Sequence, residues 1–166
     1  ANEVAREIGF LIEKNVHTSS KCKESFLYWA SKNKIPVFCP GITDGAIGDI
    51  STFFKRNHQD FAIDITGDNK LLTSMLMNEE TAASLILGGG ISKHFLLNAA
   101  IFRDGFEYSI YLTTAIEFDG SDSGGDQEEA ISWSKIKANA KRIKVISDAT
   151  ITFPILISSL NHNFKV

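Results

Sequence analysis

The feature that most limits the fold of this chain is a regular alternation of short apolar runs and amphipathic helical patterns along its 166 residues. The runs are rich in β-branched and aromatic residues, which predicts five strands: Ile35–Cys39, Phe61–Ile65, Ser84–Gly88, Tyr108–Thr113 and Ile143–Ser147. Apolar residues spaced three and four apart predict four helices: Lys21–Lys32, Asn69–Thr81, Ser92–Phe102 and Gln127–Lys141. Strands that alternate with helices favour an α/β fold with a mainly parallel sheet.

The composition sets the size and the surroundings of this fold. The chain is 43% hydrophobic and 22% charged, which is enough for one packed α/β unit over residues 1–166. A net charge of −3 and a pI of about 5.8 provide no basic surface for a phosphate backbone, so we expect no nucleic-acid partner. The apolar runs are too short to span a membrane. The two isolated cysteines, Cys22 and Cys39, are typical of reduced thiols in a cytoplasmic protein.

Polar loops follow four of the predicted strands at their carboxyl ends, which is where parallel α/β sheets bind ligands. Because the carboxyl ends of parallel strands share one edge of the sheet, we expect these loops to meet. Together they carry Asp44, Asp49, His94, Thr114, Asp119, Asp122 and Asp148. The topology alone therefore predicts a polar site at this edge.

Three consecutive glycines, Gly88–Gly90, separate a predicted strand from a predicted helix. Bare backbone at a helix N-terminus can approach an anion such as a phosphate. The dinucleotide fingerprint is incomplete here, because Lys93 stands where its last glycine is required. A tight turn that packs the helix against the strand explains the glycines equally well. The adjacent His94 is either a structural hydrogen-bonding residue or a functional one.

The segment Glu117–Ile136 holds six carboxylates and several glycines. An EF-hand loop beginning at Asp119 would need a glutamate at its twelfth position, which is Ala130, so we expect no metal. Carboxylates close to Trp133 would suit an organic polyamine, because carboxylates pair with ammonium groups and an indole ring attracts cations. The third interpretation is a solvated loop that places negative charge at the N-terminus of the following helix.

Lys135 follows Trp133 by two residues. On the predicted helix it would share a polar face with Glu128 and Ser132, so the pattern by itself predicts a solvent-exposed lysine. The chemical alternative is an amine nucleophile that forms an imine with a substrate.

Five stretches of the sequence together resemble one known family. They are IPVFCPGITDGAIGD, LILGGGISKH, YLTTAIEFDGSDSGG, EEAISWSKI and DATITFPIL, in register from about Trp29 to Leu156. These stretches resemble the C-terminal half of deoxyhypusine synthase. The resemblance implies a Rossmann-like three-layer α/β sandwich with a mainly parallel sheet, which is incomplete without an N-terminal half. It also implies an NAD-dependent transferase that acts in hypusine biosynthesis.

The resemblance implies a role for each matching residue. Lys135 of SWSK would be the covalent nucleophile, holding the 4-aminobutyl group of spermidine as an imine before transfer to a lysine of the translation factor 5A precursor. The residues expected near NAD are Asp44, Gly89, Thr114, Ala115, Asp148 and Ala149. The residues expected to bind or enclose spermidine are Asp49, His94, Gly120, Ser121, Asp122, Glu129 and Trp133.

Members of the family are longer, and their N-terminal half completes both the NAD site and the spermidine site. We therefore expect a second chain to supply that half, in a homo- or hetero-tetramer-like assembly in the cytoplasm, without nucleic acid or membrane. Two alternatives stay open. The chain is a non-catalytic or scaffold subunit of a split enzyme, or it is part of a homospermidine synthase, which uses putrescine as the acceptor.

Overall fold

The computed structural model describes residues 2–15 and 21–164, which form two compact units within Ala1–Lys70 and Leu71–Val166. Each unit is described by itself. The described part of the first unit is helical: α1 (Asn2–Asn15), a short 3₁₀ turn (Lys21–Glu24), α2 (Phe26–Lys32), α3 (Ala46–Asn57) and the start of α4 (Ile65–Met77).

Helices α1 and α2 pack closely through Gly9. A Cβ atom at Gly9 would overlap the carbonyl oxygen of Leu27 and would lie 2.5 Å from Cβ of Ser31, so only glycine allows this approach. Ser31 Oγ also donates a hydrogen bond of 3.1 Å to the carbonyl of Arg6. The two helices therefore form the packed centre of the first unit.

Two of the predicted strands are wrong. Ile35–Cys39 and most of Phe61–Ile65 are irregular rather than strands, and α4 begins at the last residue of the second segment. A strand requires a neighbour for its backbone N–H and C=O groups. The described residues of the first unit contain no strand that could act as this neighbour. Apolar, β-branched composition therefore did not suffice to make these segments strands.

The second unit alternates strands and helices, as the sequence predicts. Its elements are β1 (Ala83–Leu87), α5 (Ile91–Ala100), β2 (Phe106–Thr113), α6 (Gln127–Ser132), β3 (Ile136–Ile146) and α7 (Ala149–Phe164). The strands form a parallel sheet in the order β1-β2-β3. Ile86 lies opposite Tyr111, which in turn lies opposite Lys144. The prediction of an α/β fold with a parallel sheet is confirmed.

The predicted helix Gln127–Lys141 is wrong in its second half. Helix α6 ends at Ser132, and β3 begins at Ile136. Residues 136–146 pair with β2 along its length, so sheet hydrogen bonds and the burial of Ile136 outweigh the helical spacing of the apolar residues. Lys135 consequently lies between a helix and a strand rather than on a helix face.

The core of the second unit lies between one face of the sheet and helices α5 and α6. It consists of Ile86, Leu97, Ala100, Phe106, Tyr111, Ala130 and Ile136. On the same face, the buried hydroxyls of Ser84 and Ser109 form a hydrogen bond of 2.8 Å. The opposite face leaves several large apolar side chains exposed: Leu85, Leu87, Tyr108 and Ile143. In the residues that are described, no helix is both long and apolar enough to cross a membrane.

An ion-pair network closes the end of the sheet at which the strands begin. Glu107 accepts hydrogen bonds from Arg103 at 2.9 Å, from Lys137 at 2.6 Å and from the amide of Ala82 at 2.8 Å. The Arg103 side chain is only 6% exposed, and the Glu107 side chain is 21% exposed. The guanidinium beside it holds the pKa of Glu107 well below its usual range. This network fixes the start of β2 and lies at the end of the sheet away from the loops described next.

Candidate active site

The carboxyl ends of the three strands lie side by side. The amide of Gly88, just after β1, donates to the carbonyl of Leu112 at 2.8 Å, and the amide of Ser147, just after β3, donates to the carbonyl of Thr113 at 2.9 Å. The loops that begin at Gly88, Thr114 and Ser147 therefore start at one edge of the sheet. Asp44 and Asp49 belong to the first unit, where Asp44 lies in a turn and Asp49 in the first turn of α3.

The middle glycine of the triple-glycine turn packs against the acidic loop. A Cβ atom at Gly89 would lie 2.6 Å from Cα and 2.8 Å from Oγ of Ser123. The flanking Gly88 and Gly90 have φ values of 77° and 74°, which glycine adopts without strain. Space around Gly88 is open, because an added Cβ would meet nothing within 4 Å. The turn therefore joins helix to strand, supports the acidic loop and leaves bare backbone accessible at Gly88.

The acidic loop is internally ordered. Its 3₁₀ turn, Glu117–Asp119, is capped by Asp119, whose carboxylate accepts from the amide of Ile116 at 2.8 Å. Asp126 caps α6 by accepting from the amide of Gln127 at 2.6 Å. The carboxylate of Glu128 pairs with Arg142 of β3. Three of the six carboxylates thus have local structural partners, which satisfies part of the solvated-loop interpretation.

A Schellman motif places Lys135. The amide of Ser134 donates to the carbonyl of Ile131 at 2.9 Å, and the amide of Lys135 donates to the carbonyl of Ala130 at 2.8 Å. Ser134 has the left-handed conformation that this motif requires, with φ of 54°. The carbonyl of Lys135 then accepts from the amide of Phe106 at 3.1 Å, which starts the pairing of β3 with β2. Both peptide groups of Lys135 are therefore fixed.

Lys135 is buried, contrary to the exposed position that the helical pattern predicts. Its residue is 9% exposed, and it lines a pocket together with His94, Asp122, Asp126 and Glu129. Nδ1 of His94 lies 4.0 Å from Oδ1 of Asp122. Nζ of Lys135 lies 5.9 Å from the centre of the Trp133 ring, and Trp133 is 61% exposed. The structure thus brings an amine, carboxylates, an imidazole and an indole to one place.

The remaining predicted residues of the second unit lie around this edge of the sheet. Thr114 is exposed and Ala115 is half-buried, with the amide of Ala115 bonded to Oγ1 of Thr113 at 3.1 Å. Asp148 accepts hydrogen bonds from the hydroxyl and the amide of Thr150, and these bonds lower the pKa of Asp148. Asp148 lies immediately before α7, next to Ala149. Gly120 and Ser121 are exposed in the acidic loop.

Sequence reasoning missed one residue of this pocket, Lys93. It is 8% exposed, and its ammonium donates to the carbonyls of Asp122 at 2.7 Å and Gly125 at 3.1 Å. Burial, followed by the nearby charge of Lys144, lowers the pKa of Lys93. The spacing along α5 was the signal that could have found it. Lys93 precedes the core residues Leu97 and Ala100 by four and seven positions, so it lies on the same, buried face of the helix.

Comparisons with known proteins agree on one family. The family model of deoxyhypusine synthase matches residues 1–160. The deoxyhypusine synthase of Candida glabrata is 48% identical over 145 residues, which cover 86% of this chain and 38% of that protein. The probable deoxyhypusine synthase of Methanocaldococcus jannaschii is 44% identical over 159 residues, which cover 95% of this chain and 48% of that protein.

The fold is shared with a solved structure as well. A putative deoxyhypusine synthase from Entamoeba histolytica matches 95% of this chain and 51% of its own chain, with a TM-score of 0.57 and 22% sequence identity. At that identity the likeness concerns the fold alone. The chain spans less than half the length of the two curated relatives named above.

Proposed function

The chain belongs to the deoxyhypusine synthase family, and from that premise we propose that it carries the catalytic lysine and the spermidine-binding groups of such an enzyme. The reaction is the NAD-dependent transfer of the 4-aminobutyl group of spermidine to a lysine of the translation factor 5A precursor. The observation that carries the proposal is Lys135, a buried amine in a pocket lined by Asp122 and Glu129. A lysine that only solubilised the surface would not be buried beside two carboxylates.

Spermidine is a chain of methylenes with positively charged ends and middle, and the pocket offers matching groups. The carboxylates of Asp122 and Glu129 pair with ammonium groups, and His94 lies next to Asp122. The exposed indole of Trp133 covers methylenes and attracts the cation. Gly120 and Ser121 border this part of the loop. The resemblance to the family also assigns a spermidine-binding role to Asp49, which lies in α3.

Lys135 is the nucleophile. Its neutral amine attacks the carbon of the oxidised spermidine imine, 1,3-diaminopropane leaves, and the butylamine portion stays on Lys135 as an imine. The acceptor lysine then attacks the same carbon and displaces Lys135. Fixed peptide groups on both sides of Lys135 hold its Cα in place, so only the side chain has to move during both attacks.

When bound, NAD would supply the hydride acceptor for the oxidation of spermidine and the hydride donor for the final reduction. The observation that fits this group is the open backbone at Gly88, where a ligand can approach the main chain without a side chain in the way. Around it, Thr114, Ala115, Asp148 and Ala149 would line the cofactor. The resemblance to the family also assigns Asp44 to NAD. Gly89 would contribute to the cofactor site through the two glycines beside it, because Ser123 occupies the space that a Cβ atom of Gly89 would need.

The active site of the family also needs the N-terminal part of its fold, which a second chain or another part of the same protein would supply, in a tetramer-like assembly. One observation supports a covering element of this kind. One face of the sheet exposes Leu85, Leu87 and Ile143. Apolar sheet faces of this kind are normally covered. A cytoplasmic location accords with the low cysteine content, because the two cysteines in the sequence are too few for a disulfide framework.

Reduction with borohydride tests the proposal directly. The purified protein, with any polypeptide that copurifies, is incubated with spermidine and NAD, reduced, and digested for mass spectrometry. We expect the wild type to carry a butylamine adduct on Lys135, Lys135→Arg to carry none while still binding spermidine, and Lys141→Arg, an exposed lysine of β3, to behave as the wild type. Transfer by Lys135→Arg would refute the role of Lys135.

The same sample distinguishes the alternatives. A native mass spectrum that shows a second polypeptide supports a split enzyme. An intact complex that binds the protein acceptor but forms no adduct would instead indicate a scaffold subunit. Adduct that is released to putrescine but not to the translation factor precursor would indicate a homospermidine synthase. Retention of Lys135, Asp122 and Glu129 in one pocket, with Trp133 beside Lys135, favours the catalytic subunit, since a scaffold needs none of them.

A further inference from the structure

The proposed reaction gives no task to Lys93, although it is buried in the same pocket as Lys135. Its ammonium donates to the carbonyls of Asp122 and Gly125 and lies 4.9 Å from the centre of the Tyr111 ring. Burying a cation is costly unless it is fully bonded. Two carbonyls and an aromatic face supply this bonding here. A lysine held in this way acts on the loop that it contacts.

Lysines hold the acidic loop by its carbonyls rather than by its carboxylates. Lys93 reaches in from α5, and Lys144 reaches in from β3 to donate to the carbonyl of Gly124 at 2.8 Å. The carbonyls of Asp122, Gly124 and Gly125 therefore all accept from ammonium groups. The side chain of Asp122 remains 65% exposed. The loop is fixed while its carboxylate stays available to a ligand.

The packing around Gly125 shows how little freedom this arrangement has. A Cβ atom there would lie 3.1 Å from Oε2 of Glu129 and 3.5 Å from Nζ of Lys93. The charges of Asp122, Glu129, Lys135 and Lys144 all act on Lys93. Movement of Lys93 would therefore shift the turn that carries Asp122 and the surroundings of Glu129 together.

We propose that Lys93 is a positioning residue, which fixes the Asp122–Gly125 turn so that the Asp122 carboxylate faces the polyamine pocket. The identity of the ligand rests on the proposed function, but the positioning does not. Lys93 touches the loop and not the reacting atoms. Its loss should therefore weaken polyamine binding more than it slows the chemical step.

Hydrogen exchange of the ligand-free protein is the first measurement. The amides of Gly124 and Gly125 donate to the carbonyl of Ser121 at 2.9 and 3.2 Å, so they report on the turn. In Lys93→Met we expect these amides to exchange at least about tenfold faster, because local opening no longer breaks two charged hydrogen bonds. Lys141→Met, which removes an exposed lysine of β3, is the matched control and should leave the exchange unchanged. Equal exchange in Lys93→Met and wild type would overturn the proposal.

Spermidine kinetics provide the second measurement. We expect Lys93→Met to raise the KM for spermidine about tenfold and to change kcat less than about threefold. The reason is that Asp122 would no longer be oriented to pair with an ammonium group of spermidine. Lys93→Arg keeps the donors and should restore most of the affinity, and it carries the test if the Met variant does not fold. A fall in kcat at unchanged KM in Lys93→Met would contradict the positioning role of Lys93. Amide exchange in Lys93→Arg that is as fast as in Lys93→Met would contradict it as well.

The two proposals fail in different ways. If wild-type protein neither binds spermidine nor forms the borohydride adduct, the proposed function fails, and the exchange data still decide the role of Lys93. If wild type forms the adduct and Lys93→Met matches it in both KM and exchange, only the role of Lys93 is refuted.

Discussion

The turn before Lys135 predicts that Ser134→Gly stabilises the second unit. Ser134 occupies the left-handed position of a Schellman motif, with φ of 54°, where glycine is the usual residue. A side chain in this conformation costs about 1–2 kcal/mol. Glycine removes that cost but adds about 0.4–1 kcal/mol of entropy to the unfolded chain. The free energy of unfolding should therefore rise by about 0.5–1 kcal/mol.

Urea unfolding followed by circular dichroism measures this change, with the slope of the transition checked to be unchanged. The matched control is Ser132→Gly, two residues earlier. Ser132 is the last residue of α6, and its hydroxyl donates to the carbonyl of Glu129 at 2.7 Å. Glycine there should destabilise by about 1 kcal/mol. If both variants destabilise, or if Ser134→Gly has no effect, the Schellman geometry assigned to this turn is refuted.

Two further predictions concern the ends of the sheet. Glu107→Gln should destabilise by about 2–3 kcal/mol at pH 7, because it leaves the nearly buried guanidinium of Arg103 without its carboxylate. Folding lowers the pKa of Glu107, so its contribution to stability is complete above the unfolded pKa of about 4.3 and is lost as the pH falls towards the folded pKa. The difference in unfolding free energy between wild type and Glu107→Gln should therefore shrink below about pH 4. A constant difference down to pH 3 would contradict this reasoning. Gly89→Ala should displace Ser123 and lower the free energy of unfolding by about 1–3 kcal/mol, measured by thermal melting. The control is Gly120→Ala, which has open space around its Cβ position and should cost only about 1 kcal/mol of backbone strain. Equal effects of the two substitutions would refute the close contact between Gly89 and Ser123.

The sequence predicted the elements that pair with one another inside this chain. Strands β1, β2 and the second half of β3 fall where β-branched and aromatic runs occur, because each of them pairs with at least one strand from residues 71–166. Ile35–Cys39 has the same composition but no strand beside it among the described residues of its unit. The composition of a segment shows whether its side chains suit a β-sheet, but a strand forms only where a neighbouring strand pairs with it.

The site was predictable in its residue types and less so in its geometry. The motif around Lys135 is the basis for proposing it as the nucleophile, whereas helical periodicity predicted a solvent-exposed lysine and the structure buries it. The helix stops because Ser134 turns left-handed without the glycine that usually announces such a turn. The cofactor role of Gly89 stays a prediction, but the sequence did not predict that a Cβ atom at this position would meet Ser123 of the acidic loop. Gly89 and Ser123 are 34 positions apart, and the local spacing of residues does not predict contacts over such a separation.

Holding the acidic loop by its carbonyls also affects how fast a ligand arrives. Carboxylates that are not consumed by structural bonds project a negative potential, which draws a polycation from solution before any contact forms. The potential decays over about 8 Å at physiological ionic strength. Capture of a polyamine at this loop should therefore slow steeply as salt is added, while its departure, governed by contacts inside the pocket, changes less. Lys93 and Lys144, which hold the loop by its carbonyls, would thus set a kinetic property of the site as well as its shape.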